Sequence, residues 1–138
     1  MKRTHFVLFL FSALLLCGFQ TFAQAQEPNE VLISIYNVAP GKHLDFPKWQ
    51  AKVEAVNKEA GVPASQWYVH QNGASWDYIV IGPVLADEQE KKVDEITKQK
   101  GMPTGFKANL NFRTFVSSHS DTYARGPVTP SELVKEAE

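Results

Sequence analysis

Two histidines are the side chains in this sequence best suited to proton transfer. His70 and His119 each lie in or beside a run of strand-forming residues, and histidine titrates near neutral pH. We interpret both as candidate catalytic bases. Their spacing matches no catalytic motif, so a histidine that is partly exposed or bonded for structural reasons is the alternative at each position. Asp77 is a third candidate base, although a role in a turn or at a strand edge is the simpler interpretation.

A second group of residues is suited to ligand binding. Aromatic rings can stack on an aromatic ligand, and the planar guanidinium of arginine can hold a carboxylate. The alternative for the rings is the core of a dimer, and the alternative for the arginine is an ion pair with a neighbouring acid. The candidate ligand-binding residues are Tyr36, Tyr68, Trp76, Tyr78, Arg113 and Phe115.

Sites that need a metal or a cofactor are not predicted. The only cysteine, Cys17, lies in an N-terminal segment that we interpret as removable, which leaves no thiolate ligand or nucleophile in the mature chain. The histidines beyond that segment are far apart in the sequence, unlike those of metal-ligand motifs. The sequence also has no Gly-rich phosphate loop and no nucleophile elbow.

Residues 1–25 have the organisation of a secretory signal peptide. A basic start is followed by the apolar run Phe6 to Phe19 and by small residues in Ala23-Gln24-Ala25. The apolar run is shorter than the roughly 20 residues that span a bilayer. We predict cleavage after Ala25, export to the periplasm or medium, and no stable membrane insertion. Cleavage after Ala23, a retained anchor, or a lipoprotein attached at Cys17 are the alternatives, the last disfavoured by the large leucine before it.

Composition indicates one globular domain. The chain has 138 residues, of which 43% are hydrophobic and 21% are charged. Removal of the signal takes two of the 14 basic residues and none of the 15 acidic ones, so the mature chain has a net charge of −3. A mildly acidic domain without a basic stripe is poorly suited to nucleic acid. The predicted organisation is a signal peptide over 1–25, a domain over 26–122 and a C-terminal tail over 123–138 that forms a short helix or frays.

Strand and helix patterns alternate along the mature chain. Phe46, Trp49, Val53, Val56 and Ala60 form the apolar stripe of an amphipathic helix that precedes Gly61. Asp87 and Glu90 suggest a capping-box-like start for a second helix that stops at Gly101. Phe106 and Leu110 are compatible with a short helical turn. The predicted strands, rich in β-branched and aromatic residues, are Val31–Val38, Gln66–Gln71, Trp76–Ile81 and Phe112–His119.

The resulting order β-α-β-β-α-β predicts an α+β fold, a four-stranded antiparallel sheet with both helices on one face. This order resembles the ferredoxin-like fold and, more specifically, is similar to the dimeric α+β barrel superfamily, which includes antibiotic-biosynthesis monooxygenases and NIPSNAP-like proteins. The matching features are the strand Val31–Val38, the turn Ala39–Lys42 into a helix with Phe46 and Trp49, and the hairpin Gln66–Ile81. The resemblance implies an obligate homodimer with a barrel between the two sheets.

Alternate residues of a strand point to opposite faces, which divides the sheet into two sets of side chains. We expect the aliphatic set, with Val31, Ile33 and Ile35, to face the helices. A register slip of one residue would swap the faces. A second copy of the chain is the expected cover for the aromatic set, since each buried ring removes roughly 150–250 Å² from water. That second face would contain Leu32, Ser34, Tyr36, Tyr68, His70, Trp76, Tyr78, Val80, Arg113, Phe115, Ser117 and His119.

Three functions are compatible with this pattern. The first is a binding protein that holds a small, partly aromatic or apolar ligand in the cavity between the sheets. The second, implied by the resemblance, is a cofactor-independent monooxygenase or isomerase in which His70 or His119 takes a proton and Tyr36 or Arg113 stabilises the anion. The third is an interaction protein with a filled barrel. His70 and His119 are expected on strands at opposite edges, and therefore far apart within one chain.

Overall fold

Strands and helices alternate along the residues that the computed structural model describes, 29–73 and 75–138. The predicted signal peptide over 1–25 lies outside these residues. Among them no helix is long and apolar enough to cross a membrane. The elements in chain order are β1 (Asn29–Val38), α1 (Asp45–Ala60), β2 (Gln66–Val69), β3 (Tyr78–Pro83), α2 (Asp87–Gln99), α3 (Gly105–Arg113), β4 (Val116–Gly126) and α4 (Pro130–Ala137).

The four strands form one antiparallel sheet in the order β2-β3-β1-β4. The fold is therefore α+β, with an open sheet and four helices in the described part. Strands β2 and β4 lie at opposite edges, three strand spacings or about 14 Å apart. His119 lies in β4 and His70 directly follows β2. The two histidines are therefore at opposite edges of the sheet, as we expected.

Helix α1 forms where the apolar stripe predicts it. Phe46 and Val56 of this stripe are fully buried, with 0% and 1% of their surfaces exposed. The helix ends at Gly61, whose φ of 81° is left-handed and suits glycine. Its buried face packs against α2, where Ile96 joins Val56 in one hydrophobic cluster. The sequence was sufficient to predict α1, because the apolar stripe and the glycine that ends the helix lie within one short stretch of chain.

The face of the sheet that the helices cover is the aromatic one, so our assignment of the faces is wrong. The centroid of the Phe46 ring on α1 lies 5.3 Å from that of Tyr36, 5.7 Å from that of Tyr78 and 6.3 Å from that of Trp67. The period of a strand defines two sets of side chains but not which set the helices cover. Here the large rings fill the space under α1, which the aliphatic side chains would leave partly empty.

The last strand begins later than predicted. Phe112 and Arg113 end helix α3, and β4 starts at Val116 and continues to Gly126. The serine-rich sequence of β4 has little strand propensity of its own, but it pairs with β1 along almost all of that strand. The predicted boundary of the tail at residue 123 therefore falls inside a strand. The chain after it forms α4, whose start has a full capping box between Thr129 and Glu132.

The start of α2 also differs from our prediction. The residue that caps the helix is Ala86, and no side chain bonds to the first turn. Asp87 and Glu90 lie inside the first turn, where their charges favour the positive end of the helix without forming a capping box.

Candidate functional site

A cleft lies between α1 and the aromatic face of the sheet. Its volume is about 800 Å³. The wall on α1 combines small and apolar side chains, such as Ala51 and Ala55, with the polar and charged ones of Gln50, Glu54, Asn57 and Lys58. Val62 at one end belongs to the cluster that joins α1 and α2. The floor consists of Leu32, Ser34 and Tyr36 from β1, Trp67 from β2, and Val80 and Gly82 from β3.

An aromatic wall closes one end of the cleft. The rings of Tyr36 and Trp67 are nearly parallel, with centroids 6.4 Å apart and planes at 15°. The ring of Tyr78 stands edge-on to that of Trp67 at 5.9 Å. Trp67 has 38% of its surface exposed, so one side of this wall is accessible to a ligand. Such rings are suited to stack on planar or apolar groups.

A hydrogen-bonded cluster of polar side chains reaches from the cleft to the surface. The hydroxyl of Ser34 donates to Oδ1 of Asp121 over 2.7 Å. Nε2 of His119 lies 3.7 Å from Oδ2 of the same carboxylate. Ser34 is only 5% exposed, whereas the side chains of Asp121 and His119 are 45% and 37% exposed. The cluster forms because β4 pairs Asp121 with Ser34 and His119 with Tyr36 across the strands.

Tyr36 is the titratable group at the inner end of this cluster. Burial raises the pKa of its phenol above the ordinary value, hydrogen bonding with Ser34 opposes that rise, and the charge of Asp121 adds to it. The ring stacks on that of His119 at 6.3 Å. The phenol therefore stays protonated at neutral pH and can act as a hydrogen-bond donor toward the cleft.

The two candidate histidines have different surroundings. His119 belongs to the polar cluster, whereas the ring of His70 packs on Trp76 at 5.0 Å and its Nε2 atom is buried without a hydrogen-bond partner. The backbone of His70 donates to the carbonyl of Asp77. The carboxylate of Asp77 accepts from the backbone N–H of Val38 over 2.6 Å, so Asp77 helps to hold the end of β1 in place.

The remaining candidates do not line the cleft together. Tyr68 is exposed on the other face of the sheet and donates to Gln66 over 3.1 Å. Arg113, predicted on a strand, lies exposed on α3, where its Nε donates to Asn109 over 3.1 Å. Phe115, also predicted on that strand, lies between α3 and β4 and stacks on Trp49 at 5.4 Å. Of the predicted ligand-binding residues, Tyr36 alone is in direct contact with the cleft.

Three residues of the site were not among our candidates. Ser34 was placed on the second face and Trp67 lay within the predicted strand Gln66–Gln71, both without a role, and Asp121 was left outside the predicted strands. The available signal was the alternation of His119, Asp121 and Tyr123, which places all three side chains on one face once the strand is extended. The serine-rich composition of this stretch concealed it.

The sequence matches no protein-family model, and a search of curated proteins finds no relative. Within residues 29–73 and 75–138, no group of three or more histidine, cysteine, aspartate or glutamate side chains is arranged to hold a metal ion. The cleft and its polar cluster are therefore the features of the molecule that point to a function.

Proposed function

We propose that this protein binds a small, partly aromatic or apolar ligand in the cleft under α1. The observation that carries the proposal is a cleft of about 800 Å³ with a mixed apolar and polar lining and an aromatic wall. Ligand sites typically have volumes of about 300–1,000 Å³ and combine an apolar lining with a few polar groups. Ser34 and Tyr36 supply such groups at the floor. The ligand is thus assigned to a cleft within one chain, rather than to the space between two sheets that we first considered.

We further propose that the fold is a ferredoxin-like, dimeric α+β barrel and that the chain forms a homodimer through the uncovered face of the sheet. Strand pairing places Ile33 opposite Ile81 and Ile35 opposite Ile79 on that face, and none of these four residues belongs to either hydrophobic cluster. A second copy, presenting the same aliphatic face, is the partner that matches it best. Helices α1 and α3 contact the opposite face of the sheet, which leaves this one free for the contact.

Export is the third part of the proposal, and it rests on the signal-like sequence of residues 1–25. Intact mass measurement of the protein secreted from its natural host tests it. A mature chain that begins at Gln26 is the expected result. A chain that retains residues 1–25 would contradict it.

A fluorescence titration tests ligand binding. The probe is 8-anilinonaphthalene-1-sulfonate, an aromatic dye that brightens in apolar sites. Val80→Phe places a larger side chain on the floor of the cleft, and we expect it to weaken dye binding about tenfold. Val134→Phe, on the exposed surface of α4, is the matched control and should bind as the original protein does. Equal binding by both variants would show that the dye binds elsewhere and would contradict the assignment of the cleft.

An enzyme is the second candidate function, either an isomerase or a cofactor-independent monooxygenase. The observation that favours it is that His119, 3.7 Å from Asp121, stacks on the ring of Tyr36, which lines the cleft. A base and a donor close together are the groups that enolisation needs. His70 is a weaker candidate for the base because its ring packs on Trp76, whereas the ring of His119 packs on Tyr36.

A further inference from the structure

We propose that the ligand is a zwitterion with an aromatic body, such as an aromatic amino acid, and that Glu54 and Lys58 of α1 bind its ammonium and carboxylate groups. The inference rests on the proposed function for the presence of a ligand in the cleft, and it adds the chemical class of that ligand. It also assigns roles to two charged residues for which the sequence suggested none.

Helix α1 has two different sides. One is the apolar stripe, in which Phe46 and Val56 are fully buried. The other lines the cleft and includes Gln50, Glu54 and Lys58, which follow one another at intervals of four residues and so lie along one side of the helix. These side chains stand opposite a largely apolar floor, and closing the helix onto that floor would cost them their hydration. A ligand with an apolar body and charged groups complements both surfaces.

The charges of Glu54 and Lys58 are available to a ligand. Within residues 29–73 and 75–138, neither side chain lies within ion-pair distance of an opposite charge. Asp94 and Lys98 on α2 have the same spacing of four residues and do form an ion pair, at 3.8 Å. This spacing favours pairing within a helix, so the separation of Glu54 from Lys58 leaves one carboxylate and one ammonium group at the cleft without a counter-charge.

The aromatic and charged parts of the cleft follow one another along α1. Phe46, in the first turn of the helix, packs against the rings of Tyr36 and Trp67, so the aromatic wall lies near the start of α1. Glu54 and Lys58 follow about two and three turns later. Because the side chains of a helix lean toward its N-terminus, both charged groups lean toward the aromatic wall. An aromatic body at the wall therefore places its charged groups toward Glu54 and Lys58.

The floor beside the charged end has room for a polar head group. Gly82 of β3 and Ser65, which directly precedes β2, both line the cleft. A Cβ atom on Gly82 would lie only 2.6 Å from the hydroxyl oxygen of Ser65, so the glycine is what allows this hydroxyl to approach the strand. The hydroxyl of Ser65 can donate a hydrogen bond to a carboxylate held by Lys58.

The charges at the cleft favour a zwitterion over a ligand with one charge. Glu54 and Lys58 give the lining one negative and one positive side chain. An anion would meet a like charge at Glu54 and a cation would meet one at Lys58, in a cleft that is partly desolvated. Asp121 adds a negative charge behind Ser34, but it is 45% exposed and accepts the hydrogen bond of Ser34, so water and this bond screen it from the ligand.

Isothermal titration calorimetry of the purified protein tests the ligand class. The probes are L-tryptophan, indole-3-propionate, which lacks the ammonium group, and tryptamine, which lacks the carboxylate. We expect L-tryptophan to bind about fivefold more tightly than either analogue. Lys58→Gln should weaken L-tryptophan binding about fivefold without weakening tryptamine binding, and Glu54→Gln should do so without weakening indole-3-propionate binding. Lys98→Gln and Asp94→Asn on α2 are the matched controls and should change no affinity.

Equal affinities for the three probes would overturn the inference. So would a Lys58→Gln variant that binds L-tryptophan as well as Lys98→Gln does, since Lys58 would then serve only to stabilise the end of α1. The dye titration separates these failures from a failure of the cleft. If Val80→Phe weakens dye binding but the protein does not prefer the zwitterion, only the ligand class is refuted. If Val80→Phe changes the binding of neither the dye nor L-tryptophan, the proposed function is refuted as well.

Discussion

Replacement of Phe46 tests whether the aromatic packing under α1 holds both the fold and the wall of the cleft. Phe46 is fully buried. Its ring packs against four others, with centroids 5.3–6.3 Å apart: those of Tyr36, Trp49, Trp67 and Tyr78. Truncation of a buried phenylalanine to alanine typically costs about 3–5 kcal/mol. Domains of this size have a total stability of about 5–15 kcal/mol. We therefore expect Phe46→Ala to remove about a fifth or more of the free energy of unfolding.

Phe46→Leu keeps most of the volume and removes the ring contacts. Aromatic pairs contribute about 0.5–1.5 kcal/mol each beyond the area they bury, and the four are not independent, so we expect a loss of about 2 kcal/mol. Urea denaturation of the mature domain, followed by circular dichroism, measures both variants. Phe106→Leu, on the exposed face of α3, is the matched control and should change stability by less than about 0.5 kcal/mol. A Phe46→Leu variant as stable as this control would refute the packing argument.

Three further predictions concern the open face, α2 and α4. Ile33→Asp should convert the proposed dimer to a monomer in analytical ultracentrifugation, whereas the control Val134→Asp should leave it a dimer. A dimer that persists in Ile33→Asp would refute the sheet interface. Ala86→Ser should raise stability by about 1 kcal/mol in urea denaturation, because it supplies the missing cap of α2, and an unchanged midpoint would contradict this. Arg125 lowers the pKa of Glu136 from its usual 4.5, so the contact should stabilise α4 at neutral pH and be lost as the pH falls below 4.5. Protection factors of the α4 amides that do not fall when the pH is below 4.5 would argue against this ion pair.

The order of the elements and the position of α1 follow from the sequence alone. The stripe from Phe46 to Ala60 and the glycine that follows it act over a few residues, so neighbouring positions contain the whole signal. The same holds for the hairpin that joins β2 and β3, where Asn72-Gly73 permits a tight turn and Gly73 takes a positive φ of 108°. The observed ends of these two strands differ from the predicted ones by up to about two residues, and the order of the elements is unaffected.

Tertiary structure alone decided which face of the sheet the helices cover and where the last strand begins. Alternation along β1 separates Tyr36 from Ile35, but only the packing of Phe46 shows that the tyrosine is inside. The contact of Ser34 with Asp121 joins residues 87 positions apart, and it exists because β4 pairs with β1 despite its weak strand propensity. A site formed by pairing between distant segments has no local signal, and for that reason the sequence indicated His119 but not the carboxylate beside it.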